Sequence, residues 1–309
     1  MKLHVEALNL RHLRAWLTVV EEGSVTAGAA RLGVSQPGLS QQIIALEEYF
    51  GSKLLERLPH GVQPTSLGRA LLPDAQATLA LASRLARNAR SITGLETGVL
   101  EIATLTTLVD AIMTEPIRRW QEEYPGIAIH IKEFPLQQAL TESVAMGLGD
   151  LAIGVRPPKW SGPVAMLGWE QFVAVLPPND PLAGTTDAIE LATLADRRWI
   201  TFAPSNGLSD FVTYACALAG FVPEKAVETS QVNFAINLAA AGLGVALVPA
   251  ANVTGDIEAI TLPLKPPVVW ELAAYTRSAF SPPAEAFIGF LTERPWLSRP
   301  DDAIVLPGR

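Results

Sequence analysis

The chain has one cysteine, Cys216, and four scattered histidines, His4, His12, His60 and His130. A single thiol excludes an internal disulfide and any CxxC or zinc-finger framework, and it fits a reducing cytoplasm. The histidines show no HExxH or similar spacing, so no metal site and no cofactor are expected. Also missing are a Ser/His/Asp spacing, a nucleophile elbow, a P-loop and a paired acidic cluster, so an enzyme is not expected. Gly242-Leu243-Gly244 follows an expected helix and lacks the third glycine of a dinucleotide fingerprint. The opening residues, MKLHVEALNLRHLRAW, lack the apolar core and small-residue cleavage site of an export signal. A long uncharged run, 230–255, contains Gln231, Asn233, Asn237, Gly242, Gly244 and Pro249. It reads as helix, turn and buried strand, not a membrane span. A soluble cytoplasmic protein with no membrane partner is expected.

What is present describes a folded protein. Of 309 residues 49% are apolar and 17% charged, enough for two domains with large cores. Positive charge is scarce, and the net charge of −8 is unevenly spread. Residues 1–97 hold ten Lys and Arg against eight Asp and Glu, a balance of +2. Residues 98–309 hold the other thirteen against twenty-three, a balance of −10. The first third is the part suited to a polyanion.

That first third reads as helical. Leu10, Leu13, Leu17 and Val20 recur at helical spacing behind Asn9, a good N-cap. Gly23 ends this helix, Ser24 caps VTAGAARL, Gly33-Val34 turns, and Ser35 caps a third helix with Pro37 in its first turn. Three short helices joined this tightly form a helix-turn-helix. Lys53–Arg57 and Val62–Gln63 flank the turn Pro59-His60-Gly61 and read as a hairpin or wing. A long helix follows from Thr65 to about Thr93, in which Pro73 marks a kink or the true start. Along it Leu71, Ala75, Thr78, Ala82, Leu85, Ala89 and Ile92 repeat with a 4-3 spacing, the pattern of a dimer seam.

From Gly98 strands and helices alternate in two sets, which implies α/β lobes with largely parallel sheets and a cleft between them. VLEIATL, IAIHIKEF and DLAIGV form the first set, with helices Val109–Tyr124 and Gln137–Leu148. FVAVLP, RWITF, AVETS and GVALVP form the second, with helices Leu208–Ala219 and Asn233–Ala241. VWELAAY and the helix Ala284–Leu291 close the chain and return it to the first set. Cys216, in TYACALAGF, falls on the buried face of a helix.

The run AARLGVSQPGLSQQIIALEEYFGSKLLER, followed by PTSLG, resembles the winged helix-turn-helix of bacterial LysR-type transcriptional regulators almost position for position. GDLAIGV, VLPPNDPLA and AAGLGVALVP resemble the family's effector domain, in its order, so the resemblance covers nearly the whole chain. It implies a chain that is α/β overall. An all-α winged helix-turn-helix would span 1–65 and a dimerising linker helix 66–97. A two-lobed α/β effector domain like a type 2 periplasmic binding protein would span 98–309. Lobe 1 would take about 98–170 and 268–309, and lobe 2 about 171–267. The implied function is sequence-specific transcriptional regulation, switched by a small molecule between the lobes. The alternative is a solute-binding protein without DNA function. Implied partners are double-stranded promoter DNA, a homodimer or homotetramer, and RNA polymerase if the protein activates.

With Leu39, Ile43 and Leu46 facing inward, Gln36, Ser40 and Gln41 face base edges, and Pro37 offers apolar contact. Phosphate contacts fall to Ser24, Thr26, Arg31, Ser35, Arg57 and His60. The position after Ser40 is commonly Arg in the family and is Gln41 here, which implies weaker binding per half-site. Ligands of open α/β sheets bind beyond the carboxyl ends of strands. That selects Thr104, Thr106, Thr107, Phe134, Leu136 and Gln137 in one lobe, and Phe202, Ser205, Asn206, Gln231 and Asn233 in the other. Hydroxyls, amides and aromatics without Lys or Arg suit a small neutral or monoanionic organic effector.

Overall fold

The computed structural model describes residues 8–59, 61–91, 98–184, 187–255 and 257–306. The chain divides into two compact units, one reaching Ala86 and the other holding nearly all that follows.

In the first unit, α1 (Leu10–Glu22), α2 (Val25–Leu32) and α3 (Gln36–Phe50) are each opened by a side-chain cap. Asn9, Ser24 and Ser35 accept from the N–H groups of Arg11, Ala27 and Gly38, as the sequence predicts. The turn between α2 and α3 passes through Gly33 at φ 65°, a left-handed conformation that a Cβ would strain. Leu13, Trp16 and Leu17 of α1 pack with Leu46 and Leu54, while Ala15 and Val19 pack with Ala29, Leu39 and Ile43. The wing pairs β1 (Leu55–Leu58) with β2 (Gly61–Pro64) in antiparallel register. Glu47 ties α3 to it: one buried carboxylate oxygen accepts from the N–H groups of Leu54 and Leu55, and the other meets Lys53 at 2.7 Å. The long helix α4 spans Ser66–Ser91 and contains Pro73 in its interior, so Pro73 is not its start.

The second unit begins with β3 (Gly98–Leu105). A continuous helical stretch follows: α5 (Thr106–Leu108), a π turn at Val109–Met113, and α6 (Thr114–Glu123). It starts three residues before the helix expected from the pattern. Next come β4 (Ile127–Phe134), α7 (Gln137–Ala145), β5 (Leu151–Val155) and the long β6 (Val164–Leu176). Lobe 2 adds β7 (Arg198–Phe202), α8 (Leu208–Leu218), β8 (Glu224–Thr229), α9 (Val232–Ala240), β9 (Ala246–Pro249) and β10 (Ile260–Pro263). The chain then returns through β11 (Val268–Tyr275), α10 (Pro282–Thr292) and β12 (Ile304–Val305).

The expectation of largely parallel sheets needs correction. The main sheet runs β10-β6-β11-β5-β3-β4, with β9 on β6 and β12 on β11. β3 is parallel to β4 and β5, but β11 is antiparallel to both β5 and β6, and β9 and β10 are antiparallel to β6. Alternation in sequence describes consecutive elements only. β11 arrives from lobe 2 without a crossover helix and slots in reversed between two strands already aligned with each other. β6 serves both lobes: residues to Gln171 pair with β11, and residues from Phe172 pair with β9 and β10. Trp270 packs edge-on against Phe172 and Phe211 where the lobes join.

Candidate nucleic-acid interface and effector cleft

Burial of Leu39, Ile43 and Leu46 leaves Gln36, Pro37 and Gln41 exposed and Ser40 half-exposed at the start of α3. Helical spacing adds a residue that the reading of polar side chains passes over. Ile44 follows Gln41 by three and Ser40 by four, and its side chain is 46% exposed. α3 itself carries no Lys or Arg.

The expected phosphate contacts divide. Ser24 and Ser35 use their hydroxyls as caps, Thr26 is exposed beside the start of α2, and Arg57 is exposed on the wing. His60 lies outside the described residues. Arg31 is paired within the unit: its guanidinium lies 2.8 Å from Glu22 and 2.9 Å from Glu21. The end of α1 brings two carboxylates within its reach, so its charge is already answered within the chain.

The expected dimer seam also divides. Ala75 is buried in the helix-turn-helix core beside Trp16 and Leu54, and Leu71 packs on the same cluster. These two positions, expected on a seam, pack within the chain against α1. Thr78 donates its hydroxyl to the Asp74 carbonyl, Ala82 is half-buried, and Leu85 is 73% exposed. The side chain of Ala89 and all of Ile92 lie outside the described residues.

In the second unit the residues expected past the strand ends differ in exposure. Thr104 is buried and donates to the Ile153 carbonyl at 3.0 Å, and Phe134 and Phe202 are core residues. Gln137 is a buried brace: its amide donates to Thr141 and to the Tyr275 hydroxyl, and its carbonyl oxygen accepts from Val155 N–H. Asn206 joins two loops, accepting from Leu208 N–H and donating to the Ser230 carbonyl, both at 2.8 Å. These five are buried, and the polar ones among them are hydrogen-bonded within the fold. Thr106, Ser205, Gln231 and Asn233 are exposed, and Leu136 is partly so. Thr107 is buried, and its carbonyl accepts from Asn252.

Contacts between the lobes were not foreseen. Asn233 donates to the exposed carboxylate of Asp110 at 3.1 Å, and Gly207 N–H donates to the Pro135 carbonyl at 2.8 Å. Asp110 sits in the π turn, a backbone irregularity that is frequent at functional sites. Behind that turn Arg294 donates to the Ala111 carbonyl at 2.8 Å and stands 3.7 Å from the buried Glu170 of β6. Glu170 in turn accepts from Ala251 N–H. Burial raises its carboxyl above the usual range, while the Ala251 N–H and Arg294 draw it back. Cys216 is buried, and the apolar surroundings push its thiol up to about 12, the state of an inert core residue.

Among the described residues no helix is long and apolar enough to cross a membrane, and no cluster of His, Cys, Asp or Glu is placed to hold a metal. Residues 10–69 match the family of bacterial regulatory helix-turn-helix proteins of the lysR type, and residues 93–296 match the LysR substrate binding domain. The chain belongs to the LysR family. The HTH-type transcriptional regulator IlvR of Caulobacter vibrioides is 32% identical over 250 residues, covering 79% of this chain and 83% of its own. BudR of Raoultella terrigena is 32% identical over 249 residues, 78% of this chain and 84% of its own. The fold is that of CbnR, a LysR-family regulator solved with its target DNA (TM-score 0.68, 22% identity, 93% of this chain and 99% of that one). The chain is therefore a DNA-binding transcriptional regulator with an effector-binding domain, a role without catalysis.

Proposed function

We propose that this LysR-family chain is a cytoplasmic homodimeric or tetrameric regulator in which α3 reads one half-site and the cleft of 98–309 takes the inducing molecule. The observation that carries the reading is the capped amino-terminal face of α3, exposed and uncharged, on a winged helix-turn-helix joined to a two-lobed domain. Gln36 and Gln41 are amides of the kind that pair bidentately with adenine N6 and N7, and Ser40 suits several bases. Phosphates meet the amino terminus of α2 at Ser24 and Thr26, and Arg57 with His60 on the wing. With Arg31 already paired, each protomer brings few free cations, and affinity rests on two half-sites held together. Residues 1–65 act as the DNA-binding part, 66–97 as the linker and 98–309 as the effector part. An activator of this design contacts RNA polymerase.

The cleft loops offer Thr106, Thr107, Ser205, Gln231 and Asn233 without a Lys or Arg, and Asp110 adds a carboxylate. A small neutral molecule carrying hydrogen-bond donors suits them best, and a monoanion comes next. The test is fluorescence anisotropy on the gene's own upstream region, paired with thermal shifts across a metabolite panel. Saturable, sequence-dependent binding, altered by a neutral or monoanionic compound that also raises Tm, is the expected result. Tight calorimetric binding of a dicarboxylate overturns the ligand class, and binding indifferent to sequence overturns the regulatory reading.

A further inference from the structure

We infer that Ile44 reads a thymine methyl group in the major groove and is a specificity-determining residue of the half-site. The inference rests on α3 as the helix that enters the groove. Single exposed apolar side chains are ordinary on protein surfaces. Ile44 differs by its position: Pro37, Ser40, Gln41 and Ile44 fall at i, i+3, i+4 and i+7, one face of α3, while Leu39, Ile43 and Leu46 take the buried face. At 46% exposed, Ile44 leaves an aliphatic surface beside the exposed Gln41 and the half-exposed Ser40.

Major-groove edges present donors, acceptors and one apolar feature, the C5-methyl of thymine. A β-branched aliphatic side chain makes no hydrogen bond, so on this face it matches that feature and no other. A donor or acceptor on a base edge opposite it would lose its water without a replacement partner. The spacing fixes the register. Ile44 lies about 4.5 Å further along the helix axis than Gln41, at 1.5 Å per residue. That is about one base step from the base that Gln41 addresses. The scarcity of charge around it raises the weight of such a contact: α3 has no Lys or Arg, and Arg31 is held by Glu21 and Glu22. The half-site is therefore expected to carry adenine opposite the amides and thymine opposite Ile44.

Deoxyuridine differs from thymidine by that methyl alone. The full-length protein first selects its site from a random duplex pool. Each thymine of the enriched half-site is then replaced singly by uracil, and Kd is measured by anisotropy for the wild type and for Ile44→Ala. At one position uracil should weaken the wild type about fourfold, the worth of one methyl group taken out of water. Ile44→Ala should be nearly indifferent to the same replacement, and Ile44→Val should recover part of the response. Circular dichroism matching the wild type establishes that the exposed substitution leaves α3 folded. A loss of equal size in wild type and Ile44→Ala, or no loss at any thymine, overturns the assignment of Ile44. Failure to enrich any sequence overturns the DNA-reading role of α3 itself, a distinct result.

Discussion

Gln36 and Glu170 show two ways in which one side chain carries weight. Gln36 stands exposed at the first position of α3, beside the Ser35 cap. Gln36→Ala should lose about 1–3 kcal/mol of discrimination at one base pair, leaving other positions of the site unchanged. Affinities for a set of single-base variants check this, and a uniform loss across the set refutes it. Glu170 is buried on β6, and the fold holds its proton more tightly than the unfolded chain does. Its contribution to stability is full below the unfolded glutamate pKa of about 4.3 and is lost as pH rises through the raised value in the fold. The unfolding free energy of wild type minus Glu170→Gln should therefore fall between acid pH and neutrality. Parallel pH profiles would show that Glu170 titrates normally. Residues whose role is local were legible in the sequence: the caps Asn9, Ser24 and Ser35 act on N–H groups within three positions. Arg31 was not, because Glu21 and Glu22 meet it only once α1 and α2 have packed.

At the scale of elements, the joint between α3 and the wing depends on Glu47. Glu47→Ala leaves the N–H groups of Leu54 and Leu55 without their acceptor and Lys53 without its partner. A loss of about 2–3 kcal/mol of local stability is expected, since two donors in a mostly buried place are stranded. Hydrogen exchange at α3 and wing amides in the full chain measures it, and unchanged protection would refute it. The helices of the first unit were readable because capping and apolar period agree there. The stripe along α4 reads in sequence as a dimer seam. The 4-3 pattern reports that a face is apolar, and Leu71 and Ala75 show that the first turns of that face belong to the chain's own core. The loops past the strand ends are harder to read. The rule that ligands gather past strand ends located the loops, but braces such as Gln137 and Asn206 look in sequence like any polar ligand contact. Their partners, Tyr275 and Ser230, are set by topology.

For the whole molecule, the exposed end of α4 is where association is expected. Leu85→Glu places a charge on an exposed apolar position and should shift sedimentation from dimer toward monomer, with helix content unchanged. An unaltered sedimentation coefficient would move the dimer contact elsewhere. The effector part carries a different consequence in β6, which leaves lobe 1 after Gln171, next to the place where Val269 receives the returning chain. Two neighbouring crossings, paired with each other in one antiparallel ladder, tie the lobes side by side. A displacement on one side of that ladder is expected to reach the other through both strands together, because neither can shift without breaking hydrogen bonds to its neighbour.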